Sequence, residues 1–533
     1  MLKVKDRLLV FGIIFIFVVS FVLRYKVLFN NFVLDDFVLI VNNSFISVFS
    51  NIFDVLNPKN LLSVLPIRCG ARPFTIASLI FDYHLFGTNP FGYHFVNLFL
   101  HSINSLLVFL FCYNLKINNK VFPFVAALFF SLHPIQTEVV SAVCFRADLL
   151  FSMFSLIALN FLNFFDSKNI LINKKFLYLM VFCFACLAFF SKENAIVLPV
   201  IIFLYVFLLK EDKKLIKFSL IVFATIIFLF FFFWVERFPV PLYFSIYHSL
   251  PANMIPLSSV TTYVYTFFTA LFYNTIHILY PINLSVDYTL IFSKYIFSLM
   301  LIFVTALFFI TVYVKDKYIK FSILSVIIAY LPVSNLIPLL NTVADRYMYY
   351  PMIFVSILFG LLVIKLQKYI NPKLLIIFIT ILFTINTAIS YERGIVYNNQ
   401  YSLYHDAIIK NPNHSRVLYN MAIAYYDNKE YEKSLELLKK LSIINPSYNR
   451  EFVWFITGKD YEFLNDKENS KKYYMKAFLL APHNREFLDK FISMFPSVDN
   501  ALYYLLTNTK RLDNEILVSF QQYQKSKNNI EIK

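Results

Sequence analysis

The chain has 533 residues, of which 59% are hydrophobic, 19% aromatic and only 15% charged, and its mean hydropathy of +0.64 excludes an ordinary soluble globular protein. A net charge of +16 would suit nucleic acid in a soluble chain, but here the lysines fall in short loops between apolar runs, as positive-inside topology requires, so nucleic-acid binding is discounted. Seven glycines, with no Gly-rich run after a strand-like segment, leave neither a P-loop nor a dinucleotide fingerprint, and five cysteines make no disulfide framework at this length.

The first apolar run, Leu8 to Leu23, follows Lys3, Lys5 and Arg7 and lacks a small-residue cleavage site, so it reads as a retained anchor with a cytoplasmic N-terminus. Next comes Asn30 to Asn43, NNFVLDDFVLIVNN, in which Asp35 and Asp36 sit side by side between apolar runs. An ionised side chain at membrane depth costs roughly 2.5 to 3.5 kcal/mol on insertion scales. The pair is therefore either part of a water-facing loop or a catalytic or ion-binding pair held just outside the first span. Further candidate spans are Tyr93 to Leu115, Val121 to Leu132, Leu149 to Phe165, Phe176 to Phe190, Ala195 to Leu209, Leu215 to Val235, Lys294 to Val314, Phe321 to Leu340, Met348 to Leu366 and Leu374 to Ser390. Cys183 and Cys186 form a CxxC spacing inside one apolar run and read as small buried hydrophobes, whereas Cys69 and Cys144 could pair in an oxidising compartment.

Loop charge fixes the sides. Lys116 with Lys120, Lys168 with Lys174 and Lys175, Lys210 to Lys217, Lys315 to Lys320 and Lys365 to Lys373 are all expected in the cytoplasm. Parity then makes Tyr263 to Tyr280 re-entrant or interfacial, gives eleven crossings and leaves the C-terminus outside. The same parity puts Asp35-Asp36, Arg68 to Pro73, His133 to Asp148, Ser191 to Asn194, Asp287 and Asp345-Arg346 together on the outer side, where one site could hold them.

After Ser390 the apolar runs end, and Asn411-Pro412, Asn445-Pro446 and Ala481-Pro482 recur at intervals of 34 and 36 residues, which is tetratricopeptide spacing. The expected fold is therefore all-α: a polytopic transmembrane bundle of about 11 spans over residues 1–391, then a short repeat solenoid of about three helix pairs over 392–520. The Lys-, Asn- and Gln-rich tail, 521–533, is expected to be disordered.

These residues resemble the transmembrane and tetratricopeptide-repeat protein O-mannosyltransferases, a family within the multi-spanning, lipid-sugar-dependent glycosyltransferases of GT-C type. The resemblance is carried by FVLDDFVLIVNN and by ARPFTIASLIFDYHLFGTNPFGYHFVNLFLHSINSLLV (Ala71 to Val108), followed by LFFSLHPIQTEVVSAVCFRADLL (Leu128 to Leu150). SKENAIVLP (Ser191 to Pro199), LSVDY (Leu284 to Tyr288) and DRYMYYP (Asp345 to Pro351) extend it. The repeat array is shorter than in many such proteins, and the composition has a prokaryotic look, which would make the membrane the cytoplasmic one.

The resemblance implies transfer of a sugar, mannose or a similar hexose, from a polyprenyl-phosphate carrier to a hydroxyl on the outer face, with a polypeptide acceptor handled by the repeats. Inverting displacement needs one base and no acid, because phosphate leaves as an anion; Asp35 is expected to be that base, with Asp36 orienting donor or acceptor. Repulsion and partial desolvation should raise the pKa of one of the two. Arg72, Arg146, Lys192 and Arg346 are the candidate contacts to the donor phosphate, each alternatively a membrane-interface anchor or the partner of an acid such as Asp148, Glu193 or Asp345. His94, His133, Glu138, Asp148, Glu193 and Asp345 are expected to support the site. His94, His101 and His133 with Glu138 and Asp148 could be metal ligands, and the Asp35-Asp36 pair could hold Mg or Mn, but no His-x-x-x-His or CxxC pair sits in a loop at ligand spacing and no metal is expected. A catalytically silent, membrane-anchored repeat scaffold is the alternative reading.

Overall fold

Four helices open in the same way, with an Asn or Asp cap followed within two residues by lysine. Asn173 accepts from the Lys175 N–H, Asp212 from Lys214 and Leu215, Asp316 from Tyr318 and Ile319, and Asn371 from Lys373. Lysine in a first turn opposes the helix dipole, so these residues are poor choices for helix stability alone. Their placement makes sense as a charge label on one end of a bundle.

The computed structural model describes residues 4–56, 72–165, 173–231, 260–337, 339, 341–509 and 514–531, and among these the regular structure is entirely helical. The chain divides into two compact units that meet between Leu403 and Tyr404, beyond the boundary expected at 391 because one helix, Pro372–Val396, runs straight through it. The first unit contains α1 (Val4–Val22), α2 (Pro73–Phe86), α3 (Pro90–Asn114), α4 (Phe122–Leu132), α5 (Thr137–Ser141), α6 (Arg146–Phe164) and α7 (Lys174–Ser191). It continues with α8 (Leu198–Tyr205), α9 (Lys213–Phe230), α10 (Val260–Leu279), α11 (Lys294–Tyr313), α12 (Lys317–Tyr330), α13 (Pro351–Leu366) and α14 (Pro372–Val396). Helix α15 (Gln400–Lys410) leads out of it.

Six helical stretches among the described residues are long and apolar enough to cross a bilayer: Pro90–Asn114, Val143–Asn163, Lys174–Ser191, Glu193–Lys210, Lys294–Tyr313 and Pro372–Val396. Helix α4 with Pro134–Ser141, bent by 52°, makes a seventh if taken as one span, and Arg7–Val22 and Pro351–Leu366 are shorter apolar helices. This is fewer than the eleven crossings expected, partly because the end of the Leu215 to Val235 run lies outside the described residues. The Val143–Asn163 stretch is the axis of the bundle, 83% buried, whereas Lys294–Tyr313 is 6% buried and presents apolar side chains all round, as a rim helix facing lipid does. Helix α10 is an uninterrupted helix of 20 residues, about 30 Å long, lying against α11.

The basic loops meet one another at one end of this bundle. Lys317 pairs with Glu211, Lys365 with Asp316 at 3.0 Å, and the Asn119 amide donates to Gln367 Oε1 at 3.1 Å. The outer segments expected from parity meet at the other end, as set out below.

The second unit is three antiparallel helix pairs: α16 (Ser415–Asp427) with α17 (Tyr431–Ile444), α18 (Arg450–Phe463) with α19 (Lys467–Leu480), and α20 (Arg485–Ser493) with α21 (Val498–Thr509). Gly458 lies where α18 packs on α19, and a Cβ there would stand 2.7 Å from the Tyr474 ring, so the repeat needs glycine. The tail differs from expectation. Residues 514–531 form α22 (Asn514–Glu531), because Ile516, Phe520 and Tyr523 make a buried stripe at helical spacing against Phe478, Phe491 and Leu505. A polar composition concealed that stripe.

Candidate active site

The chain leaving α1 turns sharply before the twin aspartates. Asn31 N donates to Asn398 O at 2.8 Å, the Asn30 amide to Gly394 O at 3.1 Å, and Leu34 N to Gln400 Oε1 at 3.2 Å, which ties the loop to the end of α14 and beyond. Leu34 itself takes φ 56°, a left-handed conformation that leucine rarely adopts and that persists only where its surroundings enforce it. This turn sends the two carboxylates to opposite environments.

Asp36 is fully buried, and its carboxylate accepts from Val33 N at 3.1 Å, Val143 N at 3.3 Å and Cys144 N at 2.6 Å. Burial pushes its pKa up to about 6 despite these three N–H donors. Desolvation, rather than repulsion from its neighbour, is thus the main cause of the raised pKa. The expectation that Asp36 orients a substrate is not met: it clamps the loop to the turn before α6. Asp35 is exposed, and its carboxylate has no hydrogen bond or ion pair among the described residues.

Described residues of all six polar segments join in one layer. Beyond the Asp36 clamp, Arg72 grips Glu193 with Nε at 2.9 Å and Nη2 at 2.6 Å, and Lys192 Nζ meets both Asp148 oxygens at 2.6 and 2.7 Å. Glu138 accepts from both Arg346 N and Arg346 Nη1 at 2.7 Å, and the guanidinium lies 4.5 Å from the Phe145 ring centroid. Because Phe145 follows Cys144, Arg346 and the aspartate loop share one wall. Asp345 accepts from Tyr288 Oη at 2.5 Å and stands 3.8 Å from His277 Nδ1, which brings in the Asp287 segment. Burial, then the charge of Glu138, push the Asp345 carboxyl up to about 7.

Of the four candidate phosphate contacts, Arg146 must be corrected. Its side chain is completely buried, pairs with Asp82, and donates through Nε to Asn97 Oδ1 at 2.8 Å and through Nη2 to Tyr93 O at 3.1 Å. It holds α3 and α2 to α6, and its charge is spent inside the protein. Lys192 is likewise enclosed with Asp148, whereas Arg72 and Arg346 keep 23% and 15% of their side chains exposed. His94 is buried with Nε2 at 3.4 Å from Asn31 O, and His101 lies between Tyr349 Oη and Ser131 O at 2.9 and 3.1 Å. His133 Nε2 reaches Ile278 O at 2.9 Å, and its Nδ1 caps the turn at Ile135 N. These histidines face separate partners, and among the described residues no three metal-binding side chains converge. Cys144 is a buried free thiol, and Cys69 lies outside the described residues.

Several contributors were not singled out from sequence. Arg24, buried just beyond α1, donates to Ser131 O, His133 O and Thr137 Oγ1 at 2.9 to 3.1 Å and so pins the bent turn after α4. Asp82, His277 and Arg393 lie in largely apolar helices and are all buried. An ionisable residue in such a run is itself the signal that could have found them.

Comparisons with known proteins place similarity in limited stretches. The tetratricopeptide repeat family matches residues 454–484. The chain is similar to Protein O-mannosyl-transferase TMTC1 of Mus musculus, 37% identical over 87 residues, which is 16% of this chain and 9% of that protein. It is also similar to human Protein O-mannosyl-transferase TMTC3, 38% identical over 98 residues, 18% of this chain and 10% of that protein. The aligned stretches thus span about a tenth of those relatives' lengths. A solved structure, ArnT from Cupriavidus metallidurans bound to undecaprenyl phosphate, superposes over 87% of this chain and 80% of its own with a TM-score of 0.40 and 13% identity.

Proposed function

We propose that the chain is a membrane glycosyltransferase that moves mannose or a similar hexose from a polyprenyl-phosphate carrier to a hydroxyl acceptor, a Ser or Thr side chain of a polypeptide. The observation that carries this reading is the division of labour between neighbours: Asp36 is locked by three backbone N–H groups while Asp35, one residue away, presents an exposed carboxylate. The likeness to named protein O-mannosyl-transferases supports the class of reaction. With the basic loops on the cytoplasmic side, the polar layer and the repeats belong outside.

In the reaction as we read it, the acceptor oxygen attacks the anomeric carbon while its proton passes to Asp35, and the bond from that carbon to the carrier phosphate oxygen breaks with its electron pair going to phosphate. Arg346, held by Glu138 and backed by Phe145, is the first candidate to meet the charge developing on the phosphate. Arg72 is the second candidate, through its exposed edge. Guanidinium charge thus does the work that a divalent cation does elsewhere, and the anomeric centre inverts.

Purified protein in nanodiscs, given a polyprenyl-phosphate mannose and a Ser/Thr-containing peptide, should yield a glycopeptide of inverted anomeric configuration, resolved by NMR, with the same rate in EDTA. Retention of configuration, or a requirement for Mg or Mn, would overturn the mechanism. No transfer with any polyprenyl-phosphate sugar would favour the non-catalytic scaffold.

A further inference from the structure

Some cations of the repeat unit are paired with acids: Lys410 with Asp406, Lys433 with Glu430, Lys459 with Glu486 and Lys490 with Glu462, at 2.7, 2.6, 3.4 and 3.1 Å. Lys439 on α17, Arg450 on α18, and Lys472 and Lys476 on α19 have no ion pair among the described residues. Arg450, Lys476 and Lys439 lie along a row of rings, with Lys472 near Lys476. The Arg450 guanidinium is 4.5 Å from the Trp454 ring centroid, Lys476 Nζ is 5.4 Å from Trp454 and 4.8 Å from Tyr473, Tyr473 stacks on Tyr461 at 5.6 Å, and Lys439 Nζ is 5.7 Å from Tyr461. Partial burial, with Lys472 and Arg450 close by, pushes the Lys476 ammonium below its ordinary pKa. Like charges gathered without an ion pair repel one another, an arrangement that a polyanionic partner relieves.

Trp454 also walls a cavity of about 210 Å³ together with Leu441, Ser442, Asn445, Tyr448 and Val453. That is below the roughly 300–1,000 Å³ typical of a small-molecule site and suits one side chain. From Arg450 to Tyr461 the row follows three turns of α18, about 16 Å, which an extended peptide covers in about five residues. Cations laid against ring faces in a line fit carboxylates spaced along a strand better than they fit a lipid surface, for which lysine tips would stand clear of the protein.

We propose that this row is a docking surface for an acidic segment of a polypeptide, with one apolar side chain seated beside Trp454 and carboxylates laid along Arg450, Lys476, Lys472 and Lys439. The proposal rests on the reading that the repeats take up a polypeptide acceptor. It concerns binding alone, so it is measured without a sugar donor and is unaffected if transfer fails.

The test uses the full chain in phosphatidylcholine nanodiscs and fluorescence anisotropy of a short Glu-rich peptide bearing one leucine, against the same peptide with Gln for Glu. The acidic peptide should bind at least about tenfold more tightly, with an affinity that falls as salt rises. Lys439→Glu with Lys472→Glu, both at exposed positions, should abolish that preference and transfer it to a Lys-rich peptide, with an unchanged melting curve. Ser442→Trp, which fills the cavity, should weaken binding of the leucine-bearing peptide but not of its alanine version. Equal binding of acidic and Gln peptides, indifference to the charge reversal, or capture of phosphatidylglycerol vesicles with no peptide binding would each overturn the proposal.

Discussion

The polar layer of the membrane unit and the surface of the repeat unit treat charge in opposite ways. In the layer, Arg72, Arg146, Lys192 and Arg346 each face a carboxylate, and three of those four cations are at least 85% buried. On the repeats, Lys439 and Lys472 stand in water without an ion pair among the described residues. A charge removed from water must be paired or neutralised, whereas water tolerates an unmatched one. Within the layer, then, the informative charge is the exception, the exposed carboxylate of Asp35.

The largest effect should come from breaking an enclosed pair. Lys192→Met strands Asp148 and is expected to cost about 3–5 kcal/mol in detergent unfolding, whereas adding Asp148→Leu should recover most of that loss. Equal instability of single and double variants would mean that pairing is not what holds this layer together. Next in size, Asp36→Ala leaves three buried N–H groups without their acceptor and should cost about 2–3 kcal/mol, read as a lower melting temperature alongside lost activity. A variant that melts like the wild type would return Asp36 to a substrate role.

A smaller, pH-dependent effect tests a deeply buried acid of the repeats. Asp460 is fully enclosed, accepts from Ser434 Oγ at 2.8 Å, and has its carboxyl pushed up from 3.8 to about 7, chiefly by burial. A raised carboxyl pKa means that the folded state holds the proton more tightly than the unfolded state, so stability is greatest below about 4 and declines as pH rises through about 7. Asp460→Asn should therefore gain melting temperature over wild type between those limits and hold that gain above them; a constant difference at every pH would contradict the assignment. Smallest of all, Lys439→Glu with Lys472→Glu should change stability by no more than about 0.5 kcal/mol, and a larger loss would show that the row is structural.

Much of this was legible in the sequence. Lysine loops and apolar run lengths sorted the segments onto two ends, and Asn-Pro and Ala-Pro spacing phased the repeats, because topology and repeat architecture act through composition over many residues. The roles of neighbouring residues were not legible. Asp35 and Asp36 are chemically identical, and only the left-handed turn at Leu34 decides which one enters the protein. Arg146 sits in a motif as suggestive as that of Arg346, yet the first residue of α6 turns inward to Asp82 while Arg346 stays at the wall of the loop. Pairing partners far apart in sequence, such as Arg72 with Glu193, depend on tertiary packing that spacing does not encode.

The most direct test sets Asp35→Asn against wild type, with sugar transfer and thermal unfolding measured on the same preparation. If Asp35 is the base, transfer falls about 10²- to 10⁴-fold while the melting curve is unchanged, since the carboxylate holds nothing in place. Undiminished transfer by Asp35→Asn, or a melting temperature that falls together with the activity, would contradict the account.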